Sequence, residues 1–268
     1  MNSTCGSTTT PKSRRGTCVL YEGDMYSKLY VTLLIFTTLF FGGCEPSVKD
    51  GLSYDEYVKM AREYQKNDDY ERAISAGKKA VNIKPQDGET HYLLAMLYYE
   101  GWRKSLDAAQ MKALQEAMLN PNKRRYSSEI EELKHFGLKA EWEPLSNQEF
   151  KETIKYDPKN WFSRYMIATD LFNNKHFTEA IEEYKKVIEI NPNYANAHGL
   201  IGESYYKLGD FKSAVLNLET AVKLDPGVEN YLQLGLAYKR TNNWKKFAVI
   251  AKKLKSMDKG RYEQLATD

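Results

Sequence analysis

The side chains best suited to acid–base catalysis or metal binding are few in this chain, and their spacing supports neither chemistry. The four histidines are His91, His135, His176 and His198. None has a second ligand at the three- to five-residue spacing of a zinc site, and the HExxH motif is absent. No histidine is therefore expected to bind metal or to act as a catalytic base.

The cysteines are equally uninformative as chemistry for the folded body. Cys5, Cys18 and Cys44 are followed by 224 residues without another cysteine, which excludes a disulfide framework or a CxxC metal site there. Glycine-rich phosphate loops are absent as well. We therefore predict no catalytic, metal or cofactor site, no small-molecule substrate and no enzymatic activity.

Charged side chains do not indicate a nucleic-acid partner. Glu179, Glu182 and Glu183 stand at helical spacing beside Lys185 and Lys186, which is typical of a solvated, salt-bridged helix face. The formal net charge of the whole chain is only +3. Nucleic-acid binding proteins carry a much stronger basic footprint, so we expect no nucleic-acid binding.

An apolar run at residues 29–43 ends at Cys44. The run is shorter than the roughly 20 residues that cross a bilayer, but it suits the apolar region of a secretory signal. Lys28 supplies the positive residue that precedes such a region. We predict a signal peptide over 25–43 that starts at Met25, with 1–24 as a spurious or disordered extension. The alternative is an uncleaved membrane anchor that starts at Met1.

The residues around the cysteine carry a resemblance. The segment from Phe41 to Cys44, with Gly42 and Gly43 between them, resembles the lipobox of bacterial lipoproteins. That resemblance implies an acylated Cys44 as the new N-terminus, held in the cell envelope by its acyl chains and facing the periplasm. Glu45 in the next position favours the outer membrane. Residues 44–53 would then be a short linker.

The rest of the chain repeats with a period near 34 residues. Similar phrases end at five prolines, which are spaced by 36, 37, 34 and 34 residues and mark helix stops at the same place in a recurring unit. These prolines are Pro85, Pro121, Pro158, Pro192 and Pro226. Each stop follows apolar residues at helical spacing, so the sequence predicts repeated helices.

The repeat resembles the tetratricopeptide repeat, a helix–turn–helix unit. Counting from Tyr54, Gly88, Trp161 and Ala195, small residues stand at position eight and alanines recur at position twenty. The resemblance implies an all-α, right-handed superhelix, an α-solenoid over 54–261 with about six units and a tail at 262–268. Two units are degenerate: one has an insertion near residues 101–106, and the other occupies residues 123–158.

In this family the first helix of each unit lines a concave surface, with positions two, five, nine and twelve facing the ligand. The resemblance therefore implies a partner-binding groove formed by Tyr92, Met96, Tyr99, Phe162, Tyr165, Phe172 and Tyr206. The alternative is that the irregular third unit or a terminal segment covers these side chains. His91 and His198, at position four, are expected to be packing residues.

Together these patterns predict a non-enzymatic, membrane-anchored scaffold that holds a protein or peptide partner in the bacterial envelope. Lipoproteins of this build include those that help to assemble type IV pili and secretin channels. The alternative is an accessory factor in another periplasmic process, such as cytochrome maturation or cell-wall synthesis. Architecture alone does not choose between these roles.

Overall fold

The computed structural model describes residues 48–119 and 129–267, and residues 46–268 form one compact unit. The signal peptide, the lipidated Cys44 and the extension before Met25 lie outside the described residues. Twelve helices and no strands occur in the described ranges, in agreement with the all-α prediction. They are α1 (Tyr54–Lys66), α2 (Tyr70–Ile83), α3 (Gly88–Leu119), α4 (Glu129–His135), α5 (Trp142–Tyr156), α6 (Trp161–Asn173), α7 (Phe177–Ile190), α8 (Ala195–Leu208), α9 (Phe211–Leu224), α10 (Val228–Arg240), α11 (Trp244–Met257) and α12 (Lys259–Thr267).

Four helical hairpins form the regular part of the array: α1–α2, α6–α7, α8–α9 and α10–α11. Their first helices begin at Tyr54, Trp161, Ala195 and Val228, which are the residues predicted to open these units. The second helices of three hairpins begin behind a capping side chain that accepts a backbone N–H. The three caps are Asp69, Asp210 and Asn243.

The turn inside each regular hairpin places one residue in the left-handed region of the backbone. That residue stands at position fifteen of every regular unit: Asp68 (φ 60°), Lys175 (φ 64°), Gly209 (φ 84°) and Asn242 (φ 55°). A left-handed residue ends the first helix, and the next residue is the N-cap of the second helix. The turn thus depends on two adjacent positions.

Small residues at position eight let the two helices of a hairpin approach closely. At Gly202 an added Cβ would lie 2.6 Å from Cγ of Leu218 on the partner helix, so there is no room for a side chain. Ala61 and Ala168 fill the same position in their units and are fully buried. Large side chains such as Tyr184 and Leu218 fill the space beside these contacts.

The second unit departs from this pattern. The helix α3 runs without a break from Gly88 to Leu119, and its first half packs against α5. Ser146 of α5 donates its Oγ–H to the carbonyl oxygen of Ala95 at 3.0 Å, so Ser146 stands where regular units have their position-twenty alanine. Phe150 and Thr153 follow it at the spacing of Tyr184 and Val187 after Ala180, and all of these side chains are fully buried. Thus α5 is the second helix of the unit that begins at Gly88.

This pairing changes the interpretation of the two degenerate units. The segment that ends at Pro121 was expected to supply the second helix of the Gly88 unit, and residues 123–158 a further loose unit. In the structure, residues 88–158 form one unit with residues 102–141 inserted between its two helices. Pro158 closes that unit, twelve residues after Ser146, as Pro192 follows Ala180. The sequence between Gly101 and Trp142 replaces the single residue of a regular turn.

The described part of the insertion is fastened to its neighbours by polar contacts. The backbone N–H of Lys139 donates to Ser105 Oγ at 3.1 Å, and its ammonium group donates to Glu71 of α2 at 2.7 Å. The ring of Trp142 lies against Gly101, where an added Cβ would be 2.6 Å from the ring. These contacts hold the continuation of α3 beside the start of α5.

The C-terminal end of the array is covered by α12, so the predicted tail is helical through Thr267. Leu265 is fully buried against Gly235 of α10. Lys239 of α10 donates to the carbonyl oxygens of Leu265 and Ala266, both at 3.4 Å. The helix therefore caps the apolar face of the last hairpin, as the terminus of a stacked array requires.

Candidate partner-binding groove

His91 and His198 both bond to the proline that closes the preceding unit. His91 Nε2 lies 3.1 Å from the carbonyl oxygen of Pro85, and His198 Nε2 lies 3.0 Å from that of Pro192. His91 is buried, and its Nδ1 lies 2.6 Å from a carboxylate oxygen of Glu149 on α5. These side chains tie successive units together, which is the packing role expected of position four.

Three of the predicted groove residues form a row of aromatic rings across the first helices α3 and α6. Tyr92 meets Phe162 edge-on with the ring centroids 6.2 Å apart, and Phe162 lies 6.2 Å from Tyr165. Behind the row, Phe150 of α5 lies 6.5 Å from Tyr92 and 6.4 Å from Phe162. All three groove rings are half-buried, so each keeps a surface open while its base is held by packing.

Tyr165 is the most firmly held ring of the row. It packs against Tyr184 at 5.8 Å and edge-on against Tyr194 at 5.0 Å. Burial, with Tyr194 adding to it, raises the pKa of the Tyr165 hydroxyl to about 12. The hydroxyl therefore stays protonated and can donate a hydrogen bond at any physiological pH.

The other predicted residues lie on the same first helices but join different groups. Met96 and Tyr99 are half-buried on α3, and Tyr99 lies 6.2 Å from Trp102, ring to ring. Phe172 packs against Phe177 across its own turn, at 5.5 Å. In the same way, Tyr206 packs against Phe211, at 5.2 Å. Phe172 and Tyr206 are thus placed beside the turns of their hairpins.

A cavity of about 370 Å³ opens between α8 and α10, and we name it the α8–α10 cavity. Gly199, at a predicted groove position, leaves the space open, since an added Cβ would lie 3.2 Å from Oδ1 of Asn230. Amide side chains on its wall suit the N–H and C=O groups of an extended chain. The cavity is lined by Tyr165, Asn196, Gly199, Leu200, Glu203, Leu218, Asp225, Gly227, Val228, Glu229, Asn230 and Gln233.

A second cavity of about 230 Å³, the α3–α6 cavity, lies where α3, α5 and α6 meet. Two of its walls come from the irregular second unit, because Trp102 stands on the continuation of α3 and Glu143 on the first turn of α5. The cavity is lined by Tyr99, Trp102, Glu143, Ser146, Asn147, Met166, Thr169, Asp170 and Asn173.

Carboxylates stand beside both cavities. Burial raises the pKa of Glu143, and the charge of Asp170 raises it further. Burial also raises the pKa of Glu203; Lys207, at 3.8 Å, opposes this shift, and Glu229 adds to it. Neighbouring negative charges therefore repel one another along this face.

The last unit contributes less open surface than was predicted for it. Leu232 at position five is buried in the cluster with Leu265, and Lys239 at position twelve is bonded to the end of α12. The terminal helix thus covers predicted groove positions of α10. The row from Tyr92 to Tyr165 keeps its half-exposed faces.

The sequence did not point to several residues that line these cavities, namely Trp102, Glu143, Asp170, Asn230 and Gln233. Asn230 and Gln233 are one residue away from positions two and five, and Asp170 follows position nine. A wider stripe around each predicted position would have included them. Within residues 48–119 and 129–267, no group of three or more metal-ligating side chains comes together, and no helix has the length and apolar character to cross a membrane.

Family comparisons agree with the repeat seen in the structure. A model of the TPR repeat matches residues 171–209, and models of the tetratricopeptide repeat match residues 195–228 and 57–87. These segments are tetratricopeptide repeats. The predicted fold, an all-α solenoid of such repeats, is confirmed.

Known proteins with similar sequence or structure carry the same architecture. Subunit 3 of the anaphase-promoting complex from Dictyostelium discoideum is 35% identical over 81 residues, which cover 30% of this chain but only 8% of that protein. MamA from Desulfovibrio magneticus RS-1 superposes with a TM-score of 0.55 at 16% identity over 79% of this chain and 98% of that one. YrrB, described as a TPR protein with an unusual peptide-binding site, gives 0.58 at 15% over 87% and 98%. At these identities the two structures show the fold alone.

Proposed function

We propose that this protein is a non-enzymatic scaffold that binds an extended segment of a protein partner along the groove. The observation that carries the proposal is the ring row of Tyr92, Phe162 and Tyr165. Their rings pack in sequence across two first helices, and each remains half-exposed. Rigid aromatic side chains held at their base offer large contact area at low entropic cost, as binding hot spots require.

The surroundings of the row suit a peptide chain. The α8–α10 cavity, which Tyr165 lines, offers Asn196, Asn230 and Gln233 for hydrogen bonds to a peptide backbone. Tetratricopeptide solenoids serve in protein–protein interaction, and YrrB is a similarly folded chain with a peptide-binding site. The peptide-binding role passes to this chain by analogy of architecture.

The second part of the proposal concerns location. Acylation of Cys44 would hold the scaffold in the bacterial envelope, facing the periplasm at the outer membrane, where it would serve the assembly of an envelope complex such as a pilus or a secretin. The support is the segment from Phe41 to Cys44 and the apolar run before it. Two or more acyl chains are sufficient for stable anchoring.

Site-specific photocrosslinking tests the groove. The full chain is made in cells with benzoylphenylalanine at Tyr92 or at Tyr165, and the crosslinked peptides are sequenced. A matched control carries the same group at Leu216 on α9 or Val249 on α11, both 66% exposed. We expect the two groove positions to capture neighbouring residues of one partner segment. The same products from the control positions, or products within the chain itself, would contradict the proposal.

Metabolic labelling tests the anchor separately. Cells that produce the wild-type chain should attach labelled palmitate to it and retain it in the membrane fraction. The Cys44→Ser variant should lose both properties, whereas Cys18→Ser should keep them. Equal labelling of the two variants would show that Cys44 is not the lipidated residue.

A further inference from the structure

The α3–α6 cavity combines two kinds of side chain that attract cations. Tyr99 and Trp102 provide aromatic rings whose centroids are 6.2 Å apart and whose planes are inclined by 35°. Glu143 and Asp170 provide two carboxylates on the same wall system. The face of an aromatic ring carries negative potential, so rings and carboxylates together form a site for a positive charge.

The two carboxylates have no compensating charge of their own. Neither Glu143 nor Asp170 forms an ion pair within the described part of the chain. Asp170 accepts one hydrogen bond, from Asn174 Nδ2 at 3.1 Å. Burial and the charge of Asp170 both disfavour ionisation of Glu143, which is the electrostatic condition that an incoming cation would relieve.

The cavity is connected to the aromatic row through α6. Thr169, on its wall, donates its Oγ–H to the carbonyl oxygen of Tyr165 at 2.8 Å, one helical turn earlier. One turn advances about 5.4 Å, and two residues of an extended chain span roughly 6.6 Å. A segment lying on Tyr165 can therefore place a side chain in the cavity about two residues away.

We propose that the α3–α6 cavity binds a lysine or arginine side chain of the partner segment, about two residues from an apolar side chain that packs on Tyr165. The proposal rests on the proposed function of the groove and specifies the chemistry of its ligand. A volume of about 230 Å³ accommodates one long side chain. An acidic or neutral segment would leave Glu143 and Asp170 uncompensated.

Fluorescent nonapeptide pools test this assignment against the full chain. Each pool has randomised flanks and one fixed central residue: arginine, its neutral isostere citrulline, or glutamate. We expect the wild-type chain to retain the arginine pool about tenfold more than the citrulline pool, the size of a single cation–π contact with ionic support. The glutamate pool should bind least.

Charge-neutralising variants assign the preference to the cavity. Glu143→Gln combined with Asp170→Asn should abolish the arginine preference and leave retention of the citrulline pool unchanged. The control is Glu182→Gln combined with Glu189→Gln, which removes two exposed carboxylates from α7 and should keep the preference. Equal retention of arginine and citrulline by the wild type, or a preference that survives in the first variant, would overturn the assignment.

Failure of the groove itself looks different. If no pool distinguishes the wild type from the variant with Tyr92→Ala and Tyr165→Ala, the proposed function fails, and the cavity assignment falls with it. If pools bind through the row without regard to charge, the groove stands and only the cavity assignment is overturned.

Discussion

The unit that begins at Trp161 and the unit that begins at Gly88 solve the same problem in different ways. In the first, Lys175 adopts a left-handed conformation and His176 starts the next helix. In the second, the corresponding residues are Trp102 and Arg103, and the helix continues. A bulky aromatic residue disfavours the left-handed region and arginine is a poor cap, so no turn forms there. Two residues therefore decide whether a helix folds back or runs on.

The irregular unit also changes the groove. The regular units supply the half-buried rings of Phe162 and Tyr165 and the amides of the α8–α10 cavity. The irregular unit adds Trp102 and Glu143, which lie beside Asp170 of the next unit. The insertion thus brings a new chemical character to a surface that the regular repeats already shape.

The largest expected effect comes from breaking the packing of α5 on α3. Phe150 is fully buried, so Phe150→Ala should lower the free energy of unfolding by about 3–5 kcal/mol. Leu145 on the same helix is 36% exposed, and Leu145→Ala should cost less than about 1 kcal/mol. Urea denaturation followed by circular dichroism measures both. Similar losses in the two variants would mean that α5 is not the inner helix of this unit.

A smaller effect is expected at the close approaches. Gly101→Ala would place a Cβ 2.6 Å from the Trp142 ring, and Gly202→Ala would place one 2.6 Å from Leu218 Cγ. Each should cost about 1–3 kcal/mol in the same assay. The control is Gly260→Ala in α12, where the nearest atom is 3.4 Å away and alanine should stabilise the helix by up to about 1 kcal/mol. A neutral Gly101→Ala would argue against a tight contact between Trp142 and α3.

The regular units could be predicted from sequence because their signals are local. The helix starts at Tyr54, Trp161, Ala195 and Val228 follow from the 34-residue register, and each small residue at position eight marks a hairpin contact. These signals lie within one unit. Their positions in the chain therefore carry over directly to positions in the fold.

The second unit could not be predicted in the same way. The phrase that ends at Pro121 imitates the end of a repeat, and α3 does extend to Leu119, so the phrase marks a helix end without marking a unit end. The true partner, Ser146, lies 51 residues from Ala95, and no local pattern encodes that contact. The α3–α6 cavity depends on the same long-range pairing, which is why Trp102 and Glu143 were missed.

The smallest expected effect tests the turns of the regular units. Lys175 has a φ of 64°, where glycine carries no Cβ penalty, so Lys175→Gly should raise the free energy of unfolding by about 0.5–1 kcal/mol. Gly209→Ala, at the same position with a φ of 84°, should lower it by a similar amount. Thermal melting of both variants is sufficient. A shift of the same sign in the two would contradict the role assigned to position fifteen.

Cysteine pairs test the central claim, that α5 completes the unit begun at Gly88. With Cys5, Cys18 and Cys44 changed to serine, the body offers a cysteine-free background. Ala95→Cys with Ser146→Cys should form a disulfide during oxidative refolding, because these positions meet at the hydrogen bond of 3.0 Å. Ala95→Cys with Ala109→Cys should stay reduced, because fourteen residues on one helix span about 21 Å. A disulfide in the second pair and none in the first would show that α3 folds back at Gly101, and the account of the groove would be lost.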